Sequence, residues 1–142
     1  MTWRPQKGTA CQLIAACNAR IWHGLPDIGE ALYDSLVDVV KARNGAAIKV
    51  HRAYPSLAIA HEDYQGVEVP SIEWVASHLP LEIGYYDHKY GFHSALVVDV
   101  VGSRVVLANA GDGQVEWASI RFPPFPYQRR FRTFRRSPVD SP

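Results

Sequence analysis

Two side chains able to do covalent and proton-transfer chemistry stand out by their settings, Cys11 and His93. Cys11 opens the run CQLIAACNARIW, residues 11–22, which is apolar on nearly every face, and a helix apolar all round belongs in a core. Thr9 can cap its start, and His23-Gly24 supplies its stop. A thiol in the first turn of such a helix meets unpaired backbone N–H groups and the positive end of the helix dipole, which favour the thiolate. Gln6 lies five residues upstream, where its amide can aim at the same point as the Cys11 N–H. Two donors converging beside a nucleophile make an oxyanion hole. Most cysteines in apolar helices are inert, so the chemistry stands or falls with a partner base.

Six histidines are available for that role. His23, His51, His61 and His78 fall at helix ends or in polar stretches and read as surface residues. His88 sits in a Tyr-rich loop and is the weaker candidate. His93 stands at the start of the strand SALVVDVV, directly after Tyr90-Gly91-Phe92. Asn109 closes the neighbouring strand sixteen residues later, and a hairpin turning at Gly102-Ser103 brings the two back to one end of a sheet. A plain two-residue turn pairs residues whose numbers sum to 205, which sets Asp112 opposite His93. A bulge or a longer loop brings Asn109 across instead. Either residue can orient an imidazole.

The elements that must carry these groups follow from periodicity. After the first helix, LPDIGEALYDSLVDVVKARNGAA predicts a second, with Ile28, Leu32, Leu36 and Val39 or Val40 as its buried stripe. IKVHRAY reads as a short strand, SLAIA as a turn of helix or a short strand, and HEDYQG as a polar surface loop. Pro70-Ser71 starts a third helix, IEWVASHL, which Pro80 closes. From Leu81 the pattern turns to β: LEIGYYD, FHSALVVDVV, RVVLANA and QVEWASIRF are candidate strands. RRFRTFRR reads as a last edge strand or ordered tail, its phenylalanines inward and its arginines solvated. The expectation is one α+β domain, residues 1–136, with 137–142 as a tail. Its helical N-terminal half meets a C-terminal antiparallel sheet along a cleft.

Composition sets bounds on function. The 142 residues are 47% hydrophobic and 20% charged, ordinary for a globular domain with a real core. No apolar run approaches a membrane span, and the N-terminus lacks a signal pattern. The two cysteines lie six apart on one helix without CxxC spacing, which argues against a disulfide and a zinc site and for a reduced, cytoplasmic setting. No cofactor is implied. Residues 121–142 hold six arginines against one aspartate, net +5, leaving −4 on the rest. Arginines interleaved with Phe131 and Phe134 offer a nucleic-acid surface as a lesser possibility beside a solvated strand. Trp3, Tyr85, Tyr86 and Tyr90 read as core or rim packing rather than as a substrate groove.

The order of these motifs resembles the papain-like cysteine peptidases. The closer likeness is to the bacterial branch that trims double-glycine leader peptides from bacteriocins. The chain offers Q-K-G-T-A-C at 6–11, H-S-A-L-V-V at 93–98 and L-A-N-A-G-D-G at 107–113, and the likeness spans nearly its whole length. It departs from the family pattern in the five-residue Gln-to-Cys spacing, in Gln12 after the cysteine and in Ala110 after the asparagine. The resemblance implies a papain-like fold and a cysteine peptidase or amide hydrolase acting on a peptide or protein. In it Cys11 is nucleophile, His93 base, Asn109 the orienting residue and Gln6 an oxyanion donor. A deamidase, an acyltransferase and a catalytically idle peptide-binding module are the alternatives on the same fold.

Overall fold

The computed structural model describes residues 2–5, 11–40, 49–65, 69–87, 91–108, 113–122 and 130–137, with 65, 87, 91, 92 and 130 along the backbone only. In chain order come α1 (Cys11–Trp22), α2 (Gly29–Val40), a 3-10 turn (Val50–Ala53) running into α3 (Tyr54–Leu57), β1 (Ile59–Gln65) and α4 (Ile72–Ser77). Then follow β2 (Leu81–Asp87), β3 (Gly91–Val101), β4 (Arg104–Leu107), β5 (Gln114–Glu116), a 3-10 turn (Trp117–Ser119) and β6 (Arg130–Arg136). The described strands form one antiparallel sheet in the order β1-β6-β2-β3-β4-β5, so the fold is α+β.

Strand alternation sorts the side chains into two cores. Leu96 and Val98 of β3, Phe134 of β6 and Ile59 of β1 pack with α1, α2 and α3. Ala95 and Val97 of β3, Leu81 and Ile83 of β2, Phe131 of β6, and Val105 and Leu107 of β4 pack on the other face with Val75 of α4, Trp117 and Ile120. The expected picture of a helical half beside a sheet half is thereby corrected. α4 covers the face opposite α1, and β1, from the first half of the chain, joins the sheet.

α1 is the central element, with Leu13, Ile14, Ala15, Ala16, Cys17, Asn18, Ala19 and Ile21 all buried. It stops as the sequence indicates. Gly24 takes the left-handed conformation at φ +84°, with Gly24 N–H donating to Ile21 O (2.9 Å) and Leu25 N–H to Arg20 O (3.2 Å). The buried stripe of α2 is rotated from the expected one: Tyr33, Leu36 and Val40 face inward, while Leu32 and Val39 are 39% and 46% exposed. The inward Tyr33 ring lies under the Arg4 guanidinium, 4.5 Å from its ring centre.

Three other expectations are corrected. Residues 50–54 are helical turns rather than a strand, and HEDYQ, 61–65, belongs to β1 rather than to a loop. β6 is an interior strand, paired with β1 on one side and β2 on the other. Phe131 and Phe134, three apart, go to opposite faces, and Arg132 is buried between them. Arg132 is held there by Asp63, through Nε (2.6 Å) and Nη2 (3.0 Å), and by Tyr54 Oη (2.6 Å). With both phenylalanines buried, neither is available to stack on a base. α4 begins as expected, with Ser71 Oγ accepting from Trp74 N–H at 3.2 Å, and ends at Ser77, two residues short of the expected Leu79.

Candidate active site

Cys11 is the first residue of α1 and is half-buried. Cys17, two turns on, is 1% exposed, and burial pushes its thiol up to about 12. Both are free thiols, and only the first has access to solvent. The segment ahead of Cys11 is fastened to the same helix. Asn18, fully buried, accepts from the Arg4 backbone N–H (2.7 Å) and donates from Nδ2 to the Arg4 carbonyl (3.0 Å). The Arg4 guanidinium forks onto Asp27 (2.7 and 3.1 Å) and reaches Glu30 (3.0 Å). Burial opposes ionisation of Asp27, but the Arg4 hydrogen bond and charge and the Gly29 N–H together hold its carboxyl below the usual range. Trp3 packs against the core beside α1.

His93 is the third residue of β3, half-buried, and its ring meets the edge of Tyr85 at 5.5 Å and 86°. The two residues are cross-strand partners. His93 therefore shares a face with Tyr85, Ala95 and Val97, whereas α1 packs on Leu96 and Val98. α1 is anchored to β3 at its far end by Trp22 Nε1 donating to Val98 O (3.0 Å). Val98 is the residue at which the β3–β4 register shifts. Asp99, Val100 and Val101 pair in the plain-turn register, and Val97 with Leu107 one step off it. This one-residue shift is a bulge, and Asn109 and Asp112, the two candidates for orienting His93, lie outside the described residues.

Gln6, Thr9, His88, Tyr90, Asn109 and Asp112 lie outside the described residues. Of the four expected catalytic groups, Cys11 and His93 are described, on elements that pack directly against one another. Of the remaining histidines, His51 and His61 are exposed as expected. His23 and His78 are half-buried instead: His23 Nε2 donates to Phe134 O (2.9 Å), and His78 stacks on Trp74 at 3.9 Å. Tyr85 packs at the rim of the second core, and Tyr86 is exposed. Among the described residues no group of three or more His, Cys, Asp or Glu is placed to hold a metal, and no helix is long and apolar enough to cross a membrane.

Sequence reasoning missed Asn18 and the Arg132–Asp63–Tyr54 cluster. A single amide in an otherwise apolar helix was the available signal for the first, since a buried polar side chain needs partners. Nothing local marked the second, because its members meet only through strand pairing. Burial raises the Tyr54 phenol. Burial also opposes the charge on Arg132, but Asp63, Tyr54 and Glu82 outweigh it and hold the guanidinium charged. No family model matches the chain, and no curated protein matches its sequence.

Proposed function

We propose that the chain is a cysteine-dependent peptide or amide hydrolase of papain-like architecture, with Cys11 as nucleophile, His93 as base, Asn109 orienting the imidazole and Gln6 supplying an oxyanion donor. The observation that carries this reading is the contrast between the two thiols of α1. The one at the helix start is accessible, and the other is sealed in the core. A matching of lengths supports the partner. From Cys11 to Trp22 the helix rises about 16 Å, and from His93 to Val98 the strand rises about 16 Å. With Trp22 fixed at Val98, a helix lying along β3 brings its first turn to the level of His93.

In this mechanism His93 takes the Cys11 proton and the thiolate attacks the carbonyl. The Gln6 amide and Cys11 N–H stabilise the oxyanion, each by about 3 kcal/mol. His93 then protonates the leaving amine, and water resolves the thioester. Because His93 shares its face with Ala95 and Val97, ring and thiol must meet at the end of the strand rather than across its face. That same alternation favours a second reading, an idle module of this architecture that holds a peptide without cutting it.

Incubation with a mixed peptide library, read by mass spectrometry, separates the two. The hydrolase yields new termini that disappear in Cys11→Ala and persist in Cys17→Ala. The idle module retains peptides intact on both the parent chain and Cys11→Ala.

A further inference from the structure

His93 stands beside an aromatic ring that fixes one side of its surroundings. Tyr85 of β2 is its direct cross-strand partner, and the Cβ atoms of such a pair lie about 5 Å apart. The two rings are perpendicular, with 86° between planes and 5.5 Å between centres, the geometry of an edge-to-face aromatic contact. Tyr85 is itself held, because it packs against the second core, in which Ile83 and Ala95 are fully buried. It therefore occupies the space over β2 into which rotation about χ1 would swing the imidazole. The next side chain on that face of β3, Ala95, is too short to bound a ring. A half-buried imidazole presents its nitrogens in one direction only if neighbours limit its side-chain rotations.

We infer that Tyr85 is a positioning residue for His93: its ring bounds the imidazole on the β2 side and so keeps it aimed where a base is needed. This rests on the hydrolase reading above, in which His93 is that base. The alternative role is packing alone, in which Tyr85 covers the second core and His93 merely lies against it. The two differ in what losing the ring does to turnover. A misaimed base slows the proton transfers while peptide binding is retained, and an error of about 1 Å can cost on the order of a hundredfold. Lost packing lowers stability and leaves the chemistry of the folded chain as it was.

The experiment follows cleavage of the peptide that the parent chain cuts fastest in the mixed library, with Tm measured alongside. We expect Tyr85→Leu, which keeps apolar bulk and loses the ring, to lower kcat at least about tenfold with KM within about twofold. Tyr85→Phe keeps the ring and should keep at least about half of the parent kcat. Tyr85→Val, β-branched and suited to a strand, covers failure of the leucine variant to fold. The rate at which iodoacetamide alkylates Cys11 at about pH 6.5 should fall in Tyr85→Leu, but not when His93 is already alanine. Val105→Ala opens the same core near the Gly102-Ser103 turn, away from His93, and should lower Tm with kcat unchanged. An unchanged kcat in Tyr85→Leu, a loss as large in Tyr85→Phe or Val105→Ala, or an alkylation loss that persists without His93 overturns the inference and leaves the hydrolase reading standing. A parent chain that cuts no peptide, or one whose cleavage survives Cys11→Ala, overturns both.

Discussion

At the scale of single residues, the two thiols of α1 show how position decides chemistry. Cys17 is buried in the core and is held neutral, since burial raises its pKa to about 12. Its folded value lies above the ordinary one of about 8.5. The stability it contributes is therefore full below that value and is lost as pH rises toward 12, by about 1.4 kcal/mol per pH unit. Urea unfolding between pH 8 and 11 should show a slope flatter by that amount in Cys17→Ala. Asp27 has the opposite sign. Its folded pKa is depressed, so its contribution is present above about pH 4 and lost as pH falls through the lowered value. Asp27→Asn should remove part of the acid dependence of Tm, and an unaltered profile would mean that the Arg4–Asp27 pair does not hold residues 2–5 in place in solution.

At the scale of elements, the chain is built from local signals and non-local pairings that differ in legibility. α1, α4, β2 and the Gly102-Ser103 hairpin were readable, because caps, a left-handed glycine and β-branched runs act within a few residues. Gly24→Ala should cost about 1 kcal/mol, read as a shift in urea midpoint, because alanine is strained at φ +84°. β1, the rotation of α2 and the interior place of β6 were not readable. Each involves a partner distant in sequence: β1 pairs with β6 along its length, with Asp63 opposite Arg132, and the buried Tyr33 lies under Arg4. Alternating Arg and Phe looks alike on an edge and in the middle of a sheet. Asp63→Ala should cost about 3 kcal/mol, because it leaves the buried Arg132 guanidinium without its carboxylate. Glu62→Ala, exposed on the same strand, should stay within about 0.5 kcal/mol.

At the scale of the whole molecule, one sheet separates two cores, and a helix that begins at an accessible thiol packs against the strand that carries an imidazole near its start. Of the candidate site, the residue types and their order were legible in the sequence. The face of β3 that His93 occupies was not, because alternation fixes which residues share a face but not which core each face meets. Everything proposed for function requires Cys11 and His93 to act as one unit, and the most direct test is the rate at which iodoacetamide alkylates Cys11. In the parent chain at about pH 6.5, Cys11 should react at least about tenfold faster than an unstructured cysteine peptide, and His93→Ala should remove that advantage with the fold intact. A rate equal to the peptide's, or one that His93→Ala leaves untouched, would contradict the account.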